Sequence, residues 1–179
     1  MVAPEINITR ATIKDAELIS HLSKITFEDT FRGTCTEEDL QSFVENCFSP
    51  PATLSELKDD NDLYFIAWYN NVVAGYMRLK EDYNDYPAIK KYKALELKRI
   101  YVLKEYQAKK IGAALMAYAL QLAAEKNYEV LWLGVWEHNY KAQSFYKKWG
   151  FADTGDSHPF PIGNTPQTDT WMIKFIEKS

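Results

Sequence analysis

One stretch of this chain carries the residue types of an anion cradle. It reads Ile100-Tyr101-Val102-Leu103-Lys104-Glu105-Tyr106-Gln107-Ala108-Lys109-Lys110-Ile111-Gly112-Ala113-Ala114-Leu115. A strand-like run passes through a short polar loop into small residues that open a helix. The first backbone N–H groups of a helix have no intrahelical partner, and the macrodipole makes that end positive. Gly112, Ala113 and Ala114 let a ligand approach the backbone, and Lys109 and Lys110 add charge there. The combination fits a phosphate or pyrophosphate. The plainer alternative is a strand-to-helix turn with two solvated lysines. The spacing is not that of a P-loop, and no Gly-x-Gly-x-x-Gly follows a strand, so a dinucleotide fold is unsupported.

A second stretch reads Val135-Trp136-Glu137-His138-Asn139-Tyr140-Lys141-Ala142-Gln143-Ser144-Phe145-Tyr146-Lys147-Lys148-Trp149-Gly150-Phe151. A strand leads through Asn139 into a short helix and leaves by Gly-Phe. Asn139 is suited to cap that helix. Phe145 and Trp149 are one helical turn apart and face the core. Tyr146 lies on another face, and its phenol can donate a proton. The plainer alternative for Tyr146 is a packed aromatic ring. Lys147 and Lys148 extend the basic surface.

These stretches need a frame to hold them. Ile6-Asn7-Ile8-Thr9 alternates and reads as a strand. Thr12, with Asp15 three residues on, caps a helix that buries Leu18, Ile19, Leu22, Ile25 and Phe27 and ends at Gly33. Thr36, followed by Glu37, Glu38 and Asp39, opens a second helix that runs to about Cys47 and stops at Pro50-Pro51. A short helix is expected over 53–58. Strands over 63–69 and 72–79 flank an Asn70-Asn71 hairpin turn. A polar loop covers 81–87, and a long strand covers 94–102. Ile111, Leu115, Tyr118, Ala119 and Leu122 recur at helical spacing, giving a helix over 110–126. A buried strand over 130–136, a helix over 140–149 and strands over 151–156 and 169–176 complete the order. The expectation is a single α/β domain over residues 1–179, with a mixed central sheet of about seven strands flanked by about four helices.

Composition narrows the classes. The 179 residues are 46% hydrophobic, 26% charged and 15% aromatic, which excludes a disordered chain. No apolar run reaches the roughly 18–20 residues of a membrane span. The first residues lack both a basic start and an apolar core, so no signal peptide and a cytoplasmic location are expected. Cys35 and Cys47 read as reduced thiols. His21, His138 and His158 are too scattered to suggest a metal site. Residues 1–90 carry 16 acids against 8 bases, whereas residues 91–179 carry 9 against 13. An acidic half suits a cation and a basic half an anion. No dense basic stripe suggests nucleic acid. Phe160, Trp171 and Phe175 supply either core or a homodimer interface.

Together the two stretches resemble the GCN5-related N-acetyltransferase (GNAT) superfamily. The shared pattern is strand–Gln-x-x-x-x-Gly–helix, then strand–Asn–helix with Phe-Tyr-x-x-x-Gly-Phe. The element order matches over nearly the whole chain. The family's phosphate motif, Gln/Arg-x-x-Gly-x-Gly/Ala, falls on Gln107, Lys110 and Gly112. Lys110 stands where the first Gly is usual, so either φ stays negative at 110 or the local path differs. Thr26-Phe27-Glu28-Asp29-Thr30-Phe31, Glu96-Leu97-Lys98-Arg99-Ile100-Tyr101-Val102 and Gln167-Thr168-Asp169-Thr170-Trp171-Met172 look like the PaiA-type polyamine acetyltransferases.

The resemblance implies acetyl-CoA as co-substrate, with no metal. Ile100, Tyr101 and Val102 would pair with the pantetheine arm through their backbone groups. Gln107, Ala108, Lys109, Lys110, Ile111, Gly112 and Ala113 would hold the pyrophosphate, and Lys147 or Lys148 the adenosine 3′-phosphate. Asn139 would bond the arm near the thioester. Tyr146 would sit beside the sulfur as general acid. An amine must lose a proton before it attacks, and Glu96 is the candidate base, against the alternative of an ion pair with Lys98. The acceptor, a small-molecule amine such as spermidine, would lie near Phe27, Glu28 and Phe31, with acids including Asp29, Glu37, Glu38, Asp39, Asp82 and Asp85 around it. The competing readings are a non-catalytic acyl-CoA-binding module and an acetyltransferase for peptide, amino acid or antibiotic amines.

Overall fold

The computed structural model describes residues 5–81 and 86–177. Residues 1–4 and the loop acids Asp82 and Asp85 lie outside them. Strand β1 (Ile6–Arg10) is followed by three helices, α1 (Ala16–Phe31), α2 (Glu37–Phe48) and α3 (Pro50–Leu57). Then come β2 (Asp62–Tyr69), β3 (Val72–Lys80), β4 (Ala94–Val102), α4 (Ile111–Glu125), β5 (Val130–Trp136), α5 (Tyr140–Lys148), β6 (Ala152–Pro159) and β7 (Thr168–Phe175). The architecture is α/β, as expected, with five α-helices among the described residues rather than four.

Local chemistry explains the boundaries. The Thr12–Asp15 capping box forms, and it starts a single 3-10 turn that runs on into α1. Asn70 and Asn71 both take positive φ, 48° and 64°, which a two-residue hairpin requires. The two prolines correct one expectation. They stop α2 but also occupy the first turn of α3, where a missing N–H costs nothing. The short helix therefore starts at Pro50, before the expected 53.

The sheet order is β1-β2-β3-β4-β5-β7-β6. Every pairing is antiparallel except β4 with β5. One face packs against α4, where Leu95, Leu97, Leu131 and Leu133 meet Ile111 and Leu115. On the other face Ile19 and Leu22 of α1 cover Tyr64, Ile66 and Tyr76. Burying each such aliphatic side chain contributes about 1.5–3 kcal/mol.

The parallel pair is short. It holds only Ala94–Glu96 against Val130–Trp132, and beyond those positions the strands part. On its other side β4 carries an irregularity: Arg99 faces Arg78 and Leu97 faces Leu79, so Lys98 has no partner on β3. An extra residue of this kind bends a strand and re-aims its side chains. It lies where β4 leaves β5. Among the described residues no helix is long and apolar enough to cross a membrane.

Candidate active site

The parted strands open a cavity of about 840 Å³. Its two ends differ in chemistry. The first end is made of backbone. The outer half of β4, with Ile100, Tyr101 and Val102, lines it beside Gln107, Ala108 and the first turn of α4. The first helical bond runs from Ala114 N–H to Lys110 O, so the N–H groups of Ile111, Gly112 and Ala113 stand ahead of it. A Cβ at Gly112 would meet nothing closer than Val102 Cγ2 at 3.8 Å. That is ordinary contact with the packed side chains; what suits a diphosphate-bearing group is the free N–H groups of a helix start that lines the cavity.

Lys110 departs from both expected outcomes. It takes the left-handed conformation, φ 63°, and Ala108 does the same at φ 64°. The path is thus the one a glycine would follow, made here by a lysine against a steric cost. Lys109 lies outside the cavity wall, with its Nζ over the rings of Tyr69 and Tyr106 at 5.0 and 4.9 Å. Lys147 and Lys148 are exposed and also stand outside the wall. Lys141 lines it instead, and donates to Gln107 Oε1 at 2.8 Å. Asn139 caps α5, its Oδ1 accepting from Ala142 N–H at 3.1 Å, which is the plainer of the two expected roles. Nδ2 is its donor end, and the residue lines the cavity.

Tyr146 lines the same cavity. Its ring packs on Phe145 and Phe151, so this residue too contributes to the core. Burial, with the charge of Asp169 adding to it, holds the phenol proton well above the ordinary tyrosine range. At neutral pH Tyr146 is a proton donor only. Glu96 lies at the last rung beside Trp132, 7% exposed, with Oε1 3.2 Å from Lys98 Nζ. The ion pair set against the base reading is present.

The second end is aromatic. Phe27 stacks on Phe43 at 4.8 Å and meets Phe31 at 4.4 Å and Phe48 at 5.1 Å. Trp136 and Phe160 close on Phe31 at 5.3 and 6.1 Å. Phe27 and Phe31 are where the sequence puts them, but Glu28 is not in the wall. Four of the surrounding acids are engaged elsewhere. Glu28 accepts from Arg32 at 2.8 Å, and Asp29 accepts from Lys104 at 2.7 Å. Glu37 takes the other side of Arg32. Asp39 accepts from Asn164 N–H at 3.0 Å and Thr165 Oγ1 at 2.8 Å, which pulls its carboxyl below the usual range. A helix opening on three acids, one of them binding a distant loop, is built this way to join α2 to the β6–β7 connection.

Beneath the rings runs a charged network. Arg78 donates two bonds to Asp62, at 2.7 and 2.9 Å, and one to Glu56 at 2.6 Å. Arg99 donates to Glu56 and to Tyr64 Oη and lies 4.7 Å over the Phe48 ring. Arg99 also lines the cavity.

Sequence reasoning missed Asp169 and His158, which line the cavity, and Phe43, Phe48, Phe160 and Trp136. Asp169 did leave a signal: residues 169, 171 and 173 share one face of a strand, and Trp171 and Ile173 are packed inward there. An acid on that face is out of place for a surface residue.

Residues 24–151 match the model of the acetyltransferase (GNAT) family, and the chain belongs to that family. An uncharacterized N-acetyltransferase of the pepI 3′ region in Lactobacillus delbrueckii subsp. lactis is 31% identical over 96% of this chain and 98% of its own. The spermidine N(1)-acetyltransferase of Thermoplasma acidophilum is 29% identical over 82% of this chain and 88% of its own. The crystal structure of a PaiA N-acetyltransferase from Thermoplasma acidophilum, in complex with coenzyme A, superposes with a TM-score of 0.77 at 25% identity, covering 96% of this chain and 99% of that one. The parted strands and the cavity thus belong to an N-acetyltransferase.

Proposed function

We propose that the chain moves the acetyl group of acetyl-CoA to a primary amine by direct attack in a ternary complex, with Tyr146 protonating the departing sulfur. The observation that carries this reading is Tyr146 itself. Its protonated phenol lines the same cavity as the outer half of β4, the first turn of α4 and the aromatic cluster. In this reading β4 from Ile100 to Val102 offers its open edge to the pantetheine arm, and the first turn of α4 takes the pyrophosphate. Lys141, which lines the cavity where Lys147 and Lys148 do not, is the lysine of α5 offered to the adenosine 3′-phosphate. Bringing both substrates together removes much of the entropic barrier, and the phenol supplies the proton that a thiolate needs.

The acceptor in this proposal is an aliphatic polyamine such as spermidine. The name of one relative, the Thermoplasma spermidine N(1)-acetyltransferase, supports it. The aromatic end supports it too, since ring faces attract ammonium groups and accept methylene chains. A second reading is favoured by the pairing of Glu28 and Asp29: an amine with one charge and an apolar body.

The test is thiol release from acetyl-CoA with spermidine, spermine, lysine, phenethylamine and short peptides. Turnover greatest with the polyamines is the expected result. Turnover greatest with phenethylamine moves the acceptor to the second reading. Coenzyme A binding without turnover on any amine removes the enzyme reading. Tyr146→Phe should lower kcat by roughly 10²–10³ while coenzyme A affinity stays within about twofold.

A further inference from the structure

Two polar side chains in the cavity wall have no part in that reaction scheme. Asp169 of β7 and His158 of β6 are cross-strand neighbours, and Asp169 faces Trp136 of β5 on its other side. Both lean over Gly134. A Cβ there would lie 3.1 Å from His158 Cε1 and 3.2 Å from Asp169 Oδ2, so this glycine is what admits them. Asp169 Oδ1 and His158 Nδ1 are buried, and neither has a hydrogen-bond partner among the described residues. Native structures rarely leave such atoms without a partner, whether protein, water, ion or ligand; these two are distinguished from the others of their kind by being a titratable pair on one cavity wall. Both residues line the cavity that also holds Tyr146 and Trp136.

Other charged and titratable groups converge on this corner. Lys98 of β4 acts on both residues, and Glu137, just beyond β5, acts on Asp169. Tyr146 of α5 and Tyr101 of β4 lie in the field of Asp169. Glu96 is tied to the Lys98 ammonium and so does not compete for the same proton on equal terms.

We propose that Asp169 is the group that receives the acceptor's ammonium and takes its proton, with His158 as the neutral neighbour completing that subsite. The proposal rests on the amine-acetylation reading above. One ammonium proton passes to an Asp169 carboxylate oxygen. The nitrogen lone pair forms the N–C bond at the thioester carbonyl. The C–S bond breaks, its electron pair stays on sulfur, and sulfur takes the Tyr146 proton. The second nitrogen proton returns to the Tyr146 phenolate, and Asp169 releases its own to water. One amide, one thiol and one proton are the net products.

Burial, opposed by Lys98 and reinforced by Glu137, raises the Asp169 carboxyl to about 6. Burial and then Lys98 lower His158, which favours its neutral form. Activity should therefore fall as pH drops through about 6, because the carboxylate form is the competent one.

The experiment uses the amine of highest kcat/KM from the panel above and compares the full chain with Asp169→Asn and Glu96→Gln. Asp169→Asn should lose roughly 10²–10³ in kcat and lose the acidic limb near pH 6. Its coenzyme A affinity should be unchanged, which also reports that the variant folds. Should it fail to fold, Asp169→Glu is the second variant: recovery of the limb with partial activity is expected. Lys98→Met should move the limb to higher pH. Independently of turnover, a 13C-carboxyl NMR signal absent from Asp169→Asn should titrate near 6 in the free protein. A limb that persists in Asp169→Asn and vanishes in Glu96→Gln overturns the proposal while leaving amine acetylation intact. A wild type that acetylates no amine overturns both.

Discussion

The two ends of the cavity are built from different material. The end proposed above for the donor is main chain: one strand edge, two left-handed residues and a helix start within a single run from Ile100 to Ala113. The end proposed for the acceptor is side chain: rings from α1, α2 and the β5–β7 region, assembled across more than a hundred residues of sequence. A backbone cradle tolerates side-chain change, because N–H groups come with any residue but proline. A side-chain chamber does not, because each ring is one residue deep. Specificity should therefore drift at the acceptor end while the donor end stays constant.

That contrast can be broken by attacking each end. The largest effect should come from the network under the rings. Glu56→Gln strips both Arg78 and Arg99 of a buried charge partner, and a loss of about 3–5 kcal/mol is expected in urea unfolding. Phe27→Ala should cost about 3–5 kcal/mol, since Phe27 is 3% exposed and packs with four other rings. Its functional signature sharpens the comparison: acceptor KM should rise while donor KM stays within about twofold. An equal rise in both would mean that the ends are not independent.

Asp169→Asn should act in the opposite direction on stability. The native carboxyl is raised from 3.8 to about 6, so the folded state binds a proton before the unfolded chain does. That gain is complete below about pH 4 and is lost as pH rises through about 6. At pH 7 the wild type holds a charge its surroundings disfavour. Replacing it should stabilise the fold by about 1–2 kcal/mol, after discounting for partial solvent access, with a higher Tm at pH 7 and no gain at pH 4. The smallest effect belongs to the donor end. Lys110→Gly should relieve about 1 kcal/mol of left-handed strain and leave donor KM nearly unchanged.

The same division explains what could be read from the sequence. The Gln107–Gly112 turn and the Asn139 cap are legible because short-range spacing decides where they point. Seven strands in chain order follow from alternation and turn residues, while the short helix starts at Pro50 rather than 53 and the sixth strand runs to Pro159 rather than 156. Around the aromatic end charge is a poor guide to position. Glu28 and Asp29 looked available, yet Arg32 and Lys104 hold them. Lys104 is seventy-five residues away from Asp29, a pairing that no local pattern announces. Phe160 reads as core or dimer interface and Phe43 carries no signal at all; only the fold puts them in one chamber.

The parted strands have a consequence of another kind. The sheet is two meanders, β1–β4 and β5–β7–β6, joined by ladder pairing at only three positions. Inside an otherwise continuous sheet this leaves a seam with two open edges, and open edges are places where β-structure recruits further chain. Anything seated in the seam links the two meanders mechanically as well as chemically. Resistance to heat and to self-association should then be set by how full the seam is, rising with the concentration of the bound species. The same gap that admits a substrate makes the empty protein the more fragile one.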